Sequence, residues 1–134
     1  MEWSKSMYRV SDDVALLDIH RVHELLSSTY WAKDRSLEMI EKTVAHSMAF
    51  GVYKNEKLIG FARVITDQAV FSWVMDVVID ADYRGDGLGQ WLMECILAHP
   101  SIKHTAFALA TSDAQGFYNK FNFKNNECMT RPLG

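Results

Sequence analysis

The sequence predicts an α+β domain built on a mixed, mostly antiparallel central sheet flanked by helices. Two stretches with helical spacing of apolar residues, Val14–Thr29 and Leu37–Met48, come first. Three runs rich in aromatic and β-branched residues follow, separated only by short polar turns. A third helical stretch then divides the last of these runs from a further apolar run. A helical crossover of that kind joins strands that pair in parallel.

Taken in order, residues 7–11 predict a short first strand. The helix from Val14 to about Thr29 puts Ala15, Ile19, Val22 and Leu26 on one face. Ser36 is an N-cap type, and Glu38 suits the first turn of the next helix, whose apolar stripe is Leu37, Ile40, Val44 and Met48. Ala49–Tyr53, Leu58–Ile65 and Val70–Ile79 predict an antiparallel meander, joined by turns at Lys54–Lys57 and Thr66–Ala69. A helix from about Gly87 to Ala98 buries Leu88, Trp91, Leu92, Cys95 and Ile96. His99-Pro100 ends it, because proline disfavours helix in the residue before it. Thr105–Ala110 predicts a strand. Asp113 is expected to cap a short helix through about Phe121, with one or two short strands in the tail.

Bulk properties bound the function. A chain of 134 residues, 49% hydrophobic, fits one domain spanning residues 1–134 with one substantial core. A net charge of −3 and a pI near 5.9 argue against a nucleic-acid partner. No apolar run reaches the length of a membrane span, so no membrane partner is expected. Met1–Val10 lacks the apolar region of a secretory signal, and Cys95 and Cys128 form no CxxC pair. These features predict a reduced, cytoplasmic setting.

One stretch carries the chemistry. In Val77-Val78-Ile79-Asp80-Ala81-Asp82-Tyr83-Arg84-Gly85-Asp86-Gly87-Leu88-Gly89-Gln90-Trp91-Leu92, a strand runs into a basic, glycine-rich turn and then a helix. Glycines let backbone N–H groups approach a ligand, and a helix N-terminus carries partial positive charge, so with Arg84 the turn suits a phosphate-bearing molecule. The spacing excludes two familiar motifs. Gln90 stands where G-x-G-x-x-G needs its third glycine, and no Gly-Lys pair exists for a P-loop.

What matches is R-x-x-G-x-G, as Arg84, Gly87 and Gly89, followed after the next strand by Phe117-Tyr118-Asn119-Lys120-Phe121. Together with the element order, this resembles the acyl-coenzyme A signature of the GNAT N-acetyltransferase superfamily. The resemblance covers nearly the whole chain. It implies that the strands at Val70–Ile79 and Thr105–Ala110 are parallel and splay apart. It further implies that amides of Arg84, Gly85, Asp86, Gly87, Leu88, Gly89 and Gln90 hold the pyrophosphate of acetyl-coenzyme A. The pantetheine arm would then lie along Val77, Val78 and Ile79 like an added strand, with the Val78 N–H polarising the thioester carbonyl. The other reading is a tight turn whose glycines serve only backbone conformation. One departure from the family is Asn122, where many members have glycine; asparagine tolerates left-handed backbone.

An amine of pKa near 10.4 costs roughly 4.6 kcal/mol to deprotonate at pH 7, so an acetyltransferase needs desolvation, a base, or both. Asp76, in an otherwise apolar strand, is the candidate catalytic carboxylate: an unpaired charge there is expensive. In polyamine-acetylating members of the superfamily an acidic residue in this part of the strand contacts the amine, and by that resemblance Asp76 would bind the amine or pass on its proton. The alternative is an internal ion pair with Arg63, which hairpin counting places on the face of Ser72 and Asp76, though not directly opposite Asp76. Tyr118 resembles the family tyrosine that donates to the departing thiolate. Full transfer from a phenol near 10 to a thiolate near 8.5 is uphill by about 2 kcal/mol, so hydrogen bonding to developing charge is the expected role; a packed tyrosine at a helix edge is the alternative.

By the same resemblance Tyr30, Trp31, Arg35, Arg63 and Trp73 form the acceptor wall, although both tryptophans also suit a core or rim. His20 and His23 lack further ligands, and no metal is expected. The implied activity is acetyl transfer to a primary amine of a small molecule or protein within a ternary complex. A coenzyme A-binding module without catalysis is the alternative function, and a structural domain without a coenzyme A site a third. The sequence gives no oligomeric state; dimers are common in such folds, and a homodimer with two-fold symmetry is the usual choice.

Overall fold

In the computed structural model, which describes residues 1–133, six strands form one sheet whose spatial order follows the chain. They are β1 (Glu2–Lys5), β2 (Tyr8–Ser11), β3 (Met48–Lys54), β4 (Lys57–Thr66), β5 (Phe71–Ile79) and β6 (Ala106–Ala108). All neighbours are antiparallel except β5 and β6, which are parallel. The helices are α1 (Ile19–Ser27), α2 (Leu37–Ala45), α3 (Leu88–Ala98) and α4 (Gln115–Asn119). The α+β class, the meander and the parallel crossover are as expected.

Each face of the sheet has its own core. Val22, Leu25 and Leu26 of α1 and Ile40 and Val44 of α2 pack with Phe61 and Val78. On the other face Leu88, Leu92, Met93, Cys95 and Ile96 of α3 pack with Phe50, Val52, Val64 and Val74. Ser36 caps α2 by accepting from the Met39 N–H at 3.1 Å. His99, extended at φ −60°, ψ 127°, ends α3 as the following proline requires. Burial pushes the Cys95 thiol up to about 11, which makes it an inert core residue.

The structure corrects several expectations. The first strand is a hairpin, β1 with β2, reversed at Ser6 with φ 58°; two strands this short offer little alternation to read. The helix expected from Val14 is divided. A 3-10 turn at Val14–Leu16 is capped by Asp13, and Asp18 starts α1 anew by accepting from the His20 and Arg21 N–H groups. Ala15 is therefore exposed rather than on the buried face. β6 is shorter than Thr105–Ala110. Ala114 rather than Asp113 precedes α4, with the Thr111 hydroxyl accepting the Ala114 N–H at 3.1 Å, and α4 stops at Asn119. Residues 120–133 contain no strand.

One irregularity in β5 shapes the surface beside it. Arg63 pairs with Met75 and Phe61 with Val78, so Asp76 and Val77 together face Ala62 alone. This is a β-bulge, with Asp76 at φ 57°, a left-handed conformation that aspartate tolerates better than most residues. The bulge reverses the alternation of the strand. Val74 packs toward α3, while Val78 packs toward α1 and α2, although an unbroken strand would put both on one face. Arg63 accordingly shares a face with Met75, not with Ser72 as counting predicts, and reaches Asp76 because the bulge turns Asp76 toward α1 and α2.

Candidate active site

The parallel strands separate where the crossover expectation implies a cleft. Pairing between β5 and β6 ends at Trp73 with Ala108, while β5 continues to Ile79. From Val74 onward β5 has no strand partner on that side among the described residues. The gap opens into a cavity of about 590 Å3. Trp73–Val77 line one wall, Leu109–Ala114 and Tyr118 the other, and Tyr30, Trp31 and Arg35 from the α1–α2 loop close one end. The Tyr30 hydroxyl meets the Ser112 hydroxyl at 2.5 Å and ties the α1–α2 loop to the Leu109–Ala114 wall.

Asp76 lies at the bottom of this end with its side chain 1% exposed. Its Oδ2 accepts from Arg35 Nη1 at 2.6 Å and Arg63 Nε at 2.5 Å, and its Oδ1 accepts from Trp31 Nε1 at 3.1 Å. Burial pushes this carboxyl up, but the hydrogen bonds and charges of the two guanidiniums outweigh it and hold the group below the usual carboxylate range. Asp76 is thus the anion of a buried ion-pair cluster. Arg63 does not line the cavity; it sits beneath it, and its Nη1 donates to the Ser47 hydroxyl at 3.1 Å.

Tyr118, half-buried on α4, faces the cavity from the wall opposite β5. Burial raises its phenol above the ordinary value of 10.0, and the charge of Asp113 raises it further, so the group keeps its proton. Phe117 and Phe123 pack edge-on against its ring, with centroids 5.0 and 6.0 Å away. Asn122 adopts φ 67°, a left-handed conformation that asparagine tolerates.

The glycine-rich turn lies past the end of β5. Gly85 and Gly87 have φ 97° and 76°, and nothing lies within 4 Å of where a Cβ would stand on either. Gly87 precedes α3 without any side-chain cap, so the first N–H groups of α3 are left for another acceptor. Arg84 is tied back, its Nε donating to the Ile79 carbonyl at 3.0 Å. Asp80 anchors the approach, accepting from the Asp82 N–H and from Arg21. These features fit a pyrophosphate: open positive-φ glycines and an uncapped helix start follow in the chain on a strand edge without a partner. Among the described residues there is no group of three or more metal-ligand side chains, and no helix is long and apolar enough to cross a membrane.

Of the residues singled out in the sequence, Tyr30, Trp31, Arg35, Trp73, Asp76, Val77 and Tyr118 line a single cavity. Val78 and Ile79 continue the open edge of β5 toward the turn. Sequence reasoning missed the Arg35–Asp76 bond and the wall at Leu109–Ala114. No pattern marks that wall, because its residues gain meaning only from the early end of β6.

Comparison with known proteins places this geometry. Residues 45–125 match the acetyltransferase (GNAT) domain family. A crystal structure of a GNAT-family protein from Xanthomonas campestris pv. campestris superposes with a TM-score of 0.89 at 38% identity, covering 94% of this chain and 93% of that one. An uncharacterized N-acetyltransferase of Prochlorococcus marinus is 33% identical over 93 residues, covering 66% of this chain and 51% of that protein. The chain thus spans about half the length of that relative. A GNAT family acetyltransferase from Elizabethkingia anophelis, with acetyl-CoA bound, shares the fold at a TM-score of 0.71 and 16% identity, covering 92% of this chain and 80% of that one. A splayed parallel pair, a glycine-rich turn beyond it and a family match over residues 45–125 agree, and the chain belongs to the GNAT acetyltransferase family.

Proposed function

We propose that this protein is an acetyl-coenzyme A-dependent N-acetyltransferase acting on a primary amine by direct attack in a ternary complex. The observation that carries the proposal is the cleft itself. The unpaired edge of β5 and the Tyr118 phenol face each other across one cavity, and β5 leads on to an uncapped helix start. A coenzyme A-binding module has no need of the phenol or of a pocket beside it.

When bound, acetyl-coenzyme A supplies a thioester: the amine nitrogen bonds to its carbonyl carbon as the C–S bond breaks, the amine loses a proton, and the thiolate gains one. The amides of Arg84–Gln90 hold the pyrophosphate, and backbone groups of Val77–Ile79 hold the pantetheine arm as a neighbouring strand would. A backbone N–H on the open side of β5 donates to the carbonyl oxygen as it gains charge. The Val78 N–H expected from the resemblance is not that donor. The Asp80 N–H two residues on donates to the Ile59 carbonyl of β4 at 2.8 Å, and Val78, paired with Phe61, faces β4 in the same way. Tyr118 holds its proton toward the leaving sulfur. Its raised pKa favours donation of a hydrogen bond over early loss of the proton.

Asp76 has a different part from that of a free base. Its lone pairs are engaged by three donors and its pKa is lowered, so it orients Arg35 and Trp31 at the acceptor end. Proton loss from the amine falls to desolvation and to water. Thiol release from acetyl-coenzyme A across a panel of primary amines tests the reading. Amine-dependent release is expected; binding of coenzyme A without release on any acceptor would favour the non-catalytic module.

A further inference from the structure

We infer that the acceptor amine also carries an anionic group, carboxylate or phosphate, and that the free donors of Arg35 bind that anion. The inference rests on the acetyltransferase reading and adds to it the class of acceptor.

The acceptor end of the cavity is electrostatically one-sided. Asp76 offers nothing to a cationic substrate: Arg63 and Arg35 share Oδ2, Trp31 takes Oδ1, and the side chain is 1% exposed. Two guanidiniums facing one carboxylate leave a net positive charge there. Arg35 is the member that can express it. It lines the cavity, its side chain is 22% exposed, and only its Nη1 is engaged. Nε and Nη2 of Arg35 have no hydrogen-bond partner among the described residues.

The fork is also held in place. Asp76 fixes one arm of the guanidinium, and the His23 ring meets the Arg35 carbonyl oxygen at 3.2 Å and steadies the backbone. A guanidinium so restrained loses little freedom on taking a carboxylate or phosphate. The remaining charged side chain lining the cavity is Asp113, exposed on the opposite wall beside Tyr118. The cavity is therefore polarised, positive at the α1–α2 loop and negative toward the phenol. A molecule with an anion at one end and an amine at the other matches it, anion on Arg35 and amine toward Tyr118. A polyamine would place its second ammonium against Arg35.

Matched acceptors test this: 4-aminobutanoate against 4-aminobutanamide for carboxylate, 2-aminoethyl phosphate against ethanolamine for phosphate, and spermidine as the polycation. The anionic member of at least one pair should show kcat/KM higher by about tenfold or more, mainly through KM, in line with a charged hydrogen bond in a partly exposed site. Which pair responds identifies the anion. Arg35→Gln should bring that ratio to about one with the KM for acetyl-coenzyme A unchanged, and Arg35→Lys should keep part of it. A ratio within one variant cancels any general loss of folded protein. The N-acetylated forms of both pairs, titrated calorimetrically with coenzyme A present, give a second reading without turnover. Equal affinity within both pairs, preference for spermidine, or a ratio that survives Arg35→Gln overturns the proposal. Absence of thiol release with every amine would instead sink the acetyltransferase reading, and the titration would still decide the role of Arg35.

Discussion

Asp76 shows how a single residue joins backbone and charge. Its left-handed φ makes the bulge, the bulge turns its carboxylate toward α1 and α2, and two arginines and a tryptophan meet it there. Asp76→Asn keeps a side chain that tolerates this backbone but strands the Arg63 guanidinium, which is 7% exposed. Breaking a buried pair in this way costs about 3 kcal/mol, and urea unfolding should show a loss of that order. The pH dependence follows from the lowered pKa. The contribution of Asp76 to stability is fully present above the unfolded carboxylate value, 3.8, and is lost as pH falls through the lower folded value. No limb of the rate profile near neutrality should therefore belong to Asp76. Tyr118, with its pKa raised, should contribute a falling limb only above pH 10.

Among the elements, the glycine turn separates fold from ligand. Gly87 has φ 76°, so Gly87→Ala should cost about 1 kcal/mol of stability in addition to weakening coenzyme A binding. Gly89 is different. It lies inside α3 without positive φ, and a Cβ there would meet Phe117 and Ile79 only at ordinary contact distances of 3.7 and 3.8 Å. Gly89→Ala should leave thermal unfolding unchanged or raise its midpoint, since alanine is the better helix former. If the glycine serves the ligand, coenzyme A affinity should still fall by about tenfold; unchanged affinity would assign it no role in binding.

The same elements show what the sequence could and could not convey. Strands β3–β5, α2 and α3 are legible because each repeats its period over several residues, and Ser36, Gly87 and Pro100 mark their ends. Tyr118 and the turn stand out only through the family resemblance that their spacing carries. The divided first helix is not, because Asp18 sits among residues that still fit a helical stripe and only its cap bonds reveal the break. The bulge is not either: inserting Asp76 and Val77 against Ala62 shifts every later residue of β5 to the other face without any glycine to announce it. That shift is why Arg63 is within reach of Asp76 yet misplaced by strand counting.

At the scale of the molecule, the sheet is continuous from β1 through β5, and only the β5–β6 pairing stops short, at Trp73. Val74 on one side of the gap and Phe107, Leu109 and Tyr118 on the other pack on the same core beneath α3. A ligand lying along the open edge of β5 adds the missing pairing. Thermal unfolding should therefore rise with acetyl-coenzyme A, by about 2.7 kcal/mol at a hundredfold excess over Kd. Gly87→Ala should lose most of that gain at the same ligand concentration.

In the proposed mechanism, the phenol across the gap from β5 assists the chemical step rather than holding the ligand. Steady-state thiol release by the wild-type protein and Tyr118→Phe, with an active amine and saturating acetyl-coenzyme A, separates these two roles. The expected outcome is a fall in kcat of about tenfold or more with acetyl-coenzyme A affinity kept within about twofold. An unchanged kcat, or a loss confined to affinity, would contradict it.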